Sequence, residues 1–269
     1  MLKDVTLGQF FPGDSFLHKA DPRIKLVVLV LYLVFVLLAK TAAALGIVLL
    51  VTLVLALISR IRFSVLLRSL RPVIFILLFT GILNLFFTTG ETPLLSWKFL
   101  HIYPEGIRTA VFMMLRLVCL VGGSSLLLSY TTSPLELTDA IESLFGPLKK
   151  LHVPVHEFAM MMTIALRFIP TLMEETDKII SAQKARGADF DTGNLVQKAT
   201  ALIPILIPLF ISSFRRAEEL AIAMECRCYH GDEGRTSLRR LKVQGRDVAF
   251  LIFTVALLAA VCVLRWFGW

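Results

Sequence analysis

Two arginines close long amphipathic stretches of this chain. The first sits in Ala185-Arg186-Gly187 and the second in Cys226-Arg227-Cys228. An arginine at a helix end can extend its forked guanidinium along the axis into a partner's pocket and pair bidentately with a carboxylate. A single cation there would simply complement the helix dipole, worth about 0.3–1 kcal/mol. Two in the same setting point to docking. Gly187 suits a left-handed C-terminal cap, whereas Cys226 and Cys228 keep the small size but are expected to forgo the sharp glycine cap. Other reactive groups read more plainly. Cys226, Cys228 and His230 are too compressed for a usual zinc site, with no second ligand pair elsewhere, so no metal is expected. His156-Glu157 reads as a polar cap at a helix start, and neither His101 nor His152 has a catalytic partner in sequence, so no catalytic residue is expected. Met160-Met161-Met162 reads as adaptable packing. No Gly-x-x-x-x-Gly-Lys-Ser/Thr loop occurs, so the chain does not bind ATP by that route.

The elements that must carry these groups are mostly lipid-soluble. Of 269 residues, 57% are hydrophobic and 18% charged, against roughly half and a quarter in soluble domains. Crossing hydrocarbon takes about 20 mostly apolar residues as a helix, with every amide bonded internally. Five stretches qualify: Ile24–Ala39, Ala42–Ile58, Val73–Thr88, Ile107–Tyr130 and Val248–Phe267. Pro72 opens the third at a first-turn position. The last ends in Trp266, Phe267 and Trp269, suited to a lipid–water boundary. Arg116 lies inside the fourth. At about 2.5–3.5 kcal/mol on insertion scales it should face protein or water, as a pathway residue or, preferably, an interhelical hydrogen-bond anchor. Asp4, Pro12, Asp14, Asp21 and Pro22 argue against a cleavable leader. Cys119, Cys226, Cys228 and Cys262 give no disulfide framework.

Charge sets the orientation. With a cytoplasmic N-terminus, residues 1–25, 59–72 and 131–246 are inside and carry 4, 4 and 15 of the 28 basic residues, leaving 4 outside and Arg116 within a span. That asymmetry favours N-inside, the Arg60/Arg62/Arg68/Arg71 loop most persuasively. Residues 131–246 hold 14 acidic residues and read as three helices. Ser133-Pro134-Leu135-Glu136 is a capping box, and its helix stops at Gly146-Pro147. The second helix starts near Pro154, is apolar nearly all round to Phe168, and should kink at Pro170. Beyond it Ile169, Leu172, Met173, Thr176, Ile179, Ile180 and Gln183 form one stripe, opposite Glu174, Glu175, Asp177, Lys178 and Lys184. The third is apolar over Ala201–Phe214, broken by Pro204 and Pro208, and then carries a stripe of Ala217, Leu220, Ala221 and Met224.

These blocks resemble the transmembrane T component of energy-coupling factor transporters, the vitamin and metal-ion importers of prokaryotes. The resemblance runs through Gly8–His18 with Asp21-Pro22-Arg23-Ile24-Lys25, then Leu166–Leu172, Ala182–Phe190, Ala223–Tyr229 and Gly234-Arg235-Thr236. It implies two Ala-Arg-Gly-type motifs ending cytoplasmic coupling helices and inserting into grooves on a pair of ABC-type ATPase subunits. A separate membrane S component would bind the substrate. Arg186 and Arg227 would then be the coupling arginines, with Pro170, Pro204 and Pro208 as hinge and S-component contact candidates. ATP and magnesium would belong to the ATPases, leaving no cofactor in this chain and no role for nucleic acid.

The expected architecture is therefore an all-α integral protein of a prokaryotic cytoplasmic membrane. It has about five transmembrane helices and a cytoplasmic coupling module of three helices, two of them long, Pro-kinked and amphipathic. Residues 1–130 form a four-span transmembrane domain with the N-terminus cytoplasmic, 131–245 the coupling module and 246–269 a C-terminal transmembrane helix. The competing reading is a self-contained channel or secondary carrier, but Arg116 is nearly the only charge in the five spans and no inverted repeat is visible. If the second and third coupling helices both crossed the bilayer, Arg186 and Arg227 would lie on opposite faces. The substrate is not legible in the chain.

Overall fold

A computed structural model describes residues 10–89, 95–97, 100–188, 190, 194–231 and 241–266. Gly8, Gln9, Asp189, Gly234, Arg235, Thr236, Phe267 and Trp269, singled out above, lie outside the described residues, as do the side chains of His101 and Trp266. The chain is an all-α membrane protein with one small addition, an antiparallel ribbon pairing Leu95–Trp97 with Leu100–Ile102. It divides into two compact units, residues 8–140 with 240–269 and residues 141–239 with the N-terminal seven.

The first unit is a bundle of α1 (Phe16–Lys19), α2 (Pro22–Leu38), α3 (Ala42–Ser59), α4 (Phe63–Leu70), α5 (Ile74–Phe87), α6 (Pro104–Ser124) and α10 (Gly245–Trp266). Asp21 caps α2, its side chain accepting the Arg23 N–H, and Thr41 caps α3 through the Ala44 N–H. Residues 63–70, read above as loop, form α4. Its period is helical, with Leu66 buried and Arg68 on the outer side. Pro72 follows in a tight turn that leads into α5. The helix α6 widens into a π-type turn over Ser125–Ser129.

Small residues bring these helices close, as packing in lipid requires. A Cβ on Gly123 of α6 would fall 2.3 Å from the Tyr32 hydroxyl oxygen, and one on Gly106 would lie 3.0 Å from the Leu85 carbonyl. The Tyr32 hydroxyl donates to the Cys119 carbonyl at 2.8 Å and meets Thr52 Oγ1 at 2.8 Å. The apolar core is built around Tyr32, Phe35, Val36, Val48, Leu126 and Leu127.

Among the described residues, five stretches are long and apolar enough to cross a membrane: Ala42–Ser59, Phe63–Phe87, Pro104–Ser129, Ala199–Glu225 and Gly245–Val263. Four overlap the stretches read from sequence. The other is in the second unit, and α2, with 17 residues, reaches only about 26 Å at 1.5 Å per residue.

The second unit begins within α7 (Pro134–Phe145), a helix whose start carries the predicted capping box. There the Glu136 N–H donates to Ser133 Oγ at 3.3 Å and the Ser133 N–H to Glu136 Oε2 at 3.5 Å. Two 31-residue helices follow, α8 (Val155–Ala185) and α9 (Leu195–Glu225). The start of α9 precedes the predicted apolar run because Asn194 and Gln197 form a reciprocal cap. His156 Nδ1 lies 2.7 Å from Glu142 Oε1, tying the start of α8 to α7.

Candidate functional site

The hydrogen bonds that end α8 and α9 have the same register. At α8 the Ala188 N–H donates to the Gln183 carbonyl at 3.0 Å and the Gly187 N–H to the Lys184 carbonyl at 3.0 Å. At α9 the Tyr229 N–H donates to the Met224 carbonyl at 3.1 Å and the Cys228 N–H to the Glu225 carbonyl at 2.8 Å. Both are Schellman closures. Gly187 has φ 87° and Cys228 has φ 55°. Arg186 and Arg227 each directly precede the left-handed residue, and both are exposed together with Ala185 and Cys226. The expectation that Cys228 forgoes the glycine-type cap is thus corrected. The two closing hydrogen bonds hold a cysteine in a conformation that disfavours an L side chain by about 1–2 kcal/mol. Cys228→Gly should relieve that strain and slow hydrogen exchange at the Tyr229 amide about fivefold, the equivalent of about 1 kcal/mol. Unchanged or faster exchange would show that Cys228 is unstrained.

The two helices pack antiparallel. Gln183 Nε2 of α8 donates to the Pro204 carbonyl of α9 at 3.3 Å, while Glu175 meets Ser212 and Arg216 further along. The Pro204 carbonyl is available because Pro208, four residues on, has no N–H to occupy it. The proline break therefore supplies the acceptor that holds the α8 tip, one turn before Arg186. Arg216 Nη2 lies 3.0 Å from Glu175 Oε2, and its guanidinium carbon sits 5.8 Å from the centre of the Phe168 ring. Sequence periodicity put Glu175 on the outer face and Ala217 and Ala221 on the inner one. In the structure Glu175 turns inward, both alanines are exposed, and the inner row of α9 is Ile205, Leu209, Ser212, Arg216, Leu220 and Met224. The strict four-residue spacing of the last four was the signal available in the sequence.

Pro170, Pro204 and Pro208 all lie inside continuous helices. The proline-rich half of α9 is largely bare. Leu206, Ile207, Phe210, Ile211 and Phe214 are exposed, and a recess of about 490 Å³ runs along Leu206 to Ser213. A contiguous apolar face of this kind marks a lipid or protein contact. On α8, Phe158, Met161 and Met162 are exposed likewise.

The remaining candidates do not join this site. Arg116 belongs to the first unit, where it donates to the Ala39 carbonyl at the end of α2 and stacks 4.8 Å over the Phe112 ring. That is the anchor reading, with a guanidinium complementing a helix C-terminus. His230 Nδ1 lies 2.8 Å from the Cys228 carbonyl oxygen. Among the described residues, no group of three or more His, Cys, Asp or Glu is placed to hold a metal ion.

With the two matched helix ends in view, likeness to known proteins decides the family. Residues 13–238 match the CbiQ family, described as cobalt transport protein. A Clostridium kluyveri energy-coupling factor transporter transmembrane protein is 53% identical over 264 residues, 98% of this chain and 96% of its own length. The Ruminiclostridium cellulolyticum protein of the same name is 50% identical over 99% of both chains. The one from Bacillus subtilis is 43% identical over 98% of this chain and 100% of its own. The chain belongs to the energy-coupling factor transporter transmembrane family. As a transmembrane component of such a transporter it is a multi-pass protein of the cell membrane, which accounts for its composition and its long apolar helices. The matched region of this transporter component includes both arginine-bearing helix ends.

Proposed function

We propose that this chain is the mechanical link of an ATP-driven importer. It carries motion from two cytoplasmic ABC-type ATPase subunits to a membrane-embedded S component that binds a vitamin or other micronutrient. The chain itself is non-catalytic, and ATP and magnesium are held by the ATPases. Residues 185–187 and 226–228 dock on them, and Pro170, Pro204 and Pro208 let the coupling helices bend against the S component.

The observation that carries this reading is the pair of identical helix closures, each presenting an exposed arginine, at opposite ends of an antiparallel helix pair. From Pro204, beside the tip of α8, to Arg227 is 23 residues of α9, about 35 Å at 1.5 Å per residue. One pocket cannot take both side chains, whereas two ATPase subunits offer two. For both arginines to face the cytoplasm, the pair must lie along the membrane rather than across it, with the bare apolar face of α9 turned to lipid or to the S component. Residues 1–130 and 246–269 then anchor the chain with the N-terminus inside. A self-contained channel would use Arg116 as a pathway charge, but that guanidinium is occupied by the Ala39 carbonyl.

Affinity purification of the tagged chain from native membranes in mild detergent tests this. ATPase polypeptides and a small apolar membrane protein should come with it. A chain that purifies alone and moves solute in vesicles without ATP would overturn the reading.

A further inference from the structure

In the first unit, α10 packs along α2 while α3 packs along α6 and α1, so α3 and α10 share little direct contact. Between them, floored by Val28, Tyr32 and Phe35, runs a slot of about 170 Å³. Leu50 and Val54 of α3 and Phe253 of α10 stand at its rim, exposed. Its few polar groups are already satisfied. The Tyr32 hydroxyl donates to the Cys119 carbonyl, and the Thr254 hydroxyl donates to the Phe250 carbonyl at 2.9 Å. An occupant therefore needs to bring hydrocarbon and nothing else.

At the Phe16 and Ile58 end of the slot, the next residues along the chain line a polar cleft of about 380 Å³. Arg60 and Arg62 line it with Ser15, His18 and Asp14. Asp14 is paired with Lys19 at 3.1 Å, and the His18 ring nitrogens meet Ser15 Oγ at 2.6 Å and the Phe11 carbonyl oxygen at 2.8 Å. Both arginines are exposed, and neither meets a carboxylate or carbonyl among the described residues. Arg60 is held there in the left-handed conformation, at φ 56°. Cations in a short membrane loop set topology wherever they lie, but topology needs no slot beside them.

We propose that the slot and the cleft together bind one anionic phospholipid, an acyl chain between α3 and α10 and the phosphate at Arg60 and Arg62, in the leaflet where α3 ends. Charge complementarity selects this occupant. A neutral helix would leave both guanidinium groups unmatched, and a soluble anion would leave the slot empty.

Native mass spectrometry of the full chain in detergent, titrated with dioleoylphosphatidylglycerol, dioleoylphosphatidylcholine or glycerol 3-phosphate, tests it. One phosphatidylglycerol per chain should be retained, with phosphatidylcholine much weaker and glycerol phosphate not retained. Arg60→Gln with Arg62→Gln should weaken phosphatidylglycerol about thirtyfold, at about fivefold per arginine. Val54→Phe should fill the slot and release the lipid with both arginines intact. Thr254→Val, nearly the same in shape, should keep binding and so control for folding. Equal retention of the two lipids, competition by glycerol phosphate, or Val54→Phe without effect would each overturn the proposal. So would a photoreactive side chain at position 54 that crosslinks to a protein in native membranes.

Discussion

Arg186→Glu should release one ATPase contact and Arg227→Glu the other, and the double variant should purify without either subunit. Truncating one partner of a desolvated, hydrogen-bonded charge pair costs about 2–5 kcal/mol. Reversing the charge adds repulsion to that loss. Each single variant should therefore lower ATP-driven uptake in reconstituted vesicles by more than about a hundredfold, because a contact weakened by 2.7 kcal/mol or more loses that factor in affinity. Arg186→Lys should fall in between, since an ammonium keeps the charge but lacks the planar fork. Membrane insertion and yield should be unchanged, because both side chains are exposed at helix ends and contribute little to the fold. The two variants should behave alike. Before the closures were compared, the sequence favoured Arg186 as the stronger determinant, because only it is followed by glycine. The matched Schellman geometry at Gly187 and Cys228 removes that distinction. A double variant that still brings down ATPases and supports uptake would end the docking proposal.

How far such a site was legible depends on which interactions are local. Gly187, the Ser133-Glu136 box and the inward stripe of α8 follow from rules spanning four residues, and the structure repeats them. Cys228 did not follow, because propensity reserves the left-handed region for glycine, whereas here two backbone hydrogen bonds override the preference. Glu175 was misplaced for a different reason. Its partners Ser212 and Arg216 are 37 and 41 residues away, so its inward turn depends on a pairing that no local pattern contains. The Gln183 bond to Pro204 is similar. Pro208 announces a vacant carbonyl, but which side chain fills it is decided by how α8 lies on α9. In the membrane unit the greasy runs were plain. The helix α4 was not, because its arginines had already been read as topology signals and its apolar side went uncounted.

Asp247→Ala should be among the most destabilising substitutions in the membrane unit, at about 3–5 kcal/mol for a buried charge cluster left unbalanced. Asp247 is 1% exposed, and its two oxygens serve two helix starts. Oδ2 accepts the Gln244 N–H at 2.9 Å, capping α10, and Oδ1 lies 3.3 Å from the Asp21 N–H at the start of α2. Both N-termini carry positive dipole ends, so one carboxylate stabilises both. Around it, Arg23 donates to both Asp21 oxygens at 2.9 and 3.1 Å. Lys25, 0% exposed, donates to the Thr131 carbonyl at 2.8 Å and Thr132 Oγ1 at 3.3 Å. Removing Asp247 would orphan the Asp21 N–H and leave Lys25 buried with less compensating charge. Thermal unfolding in detergent should show the loss, with Asp247→Asn intermediate because it keeps one acceptor and turns an amide toward a donor. The same cluster fixes the acid limb of stability. Burial alone would raise the Asp21 carboxyl, but the Arg23 hydrogen bonds and charge prevail and hold it below the usual carboxylate range. The stabilisation it gives is complete above its unfolded value near ~3.9 and is lost as pH falls through the lower native value. Melting temperature should therefore fall as the pH drops below about 4, and Asp21→Asn should flatten that limb. A variant lacking Asp247 that melts with the parent would mean that α10 is held on α2 by apolar packing alone.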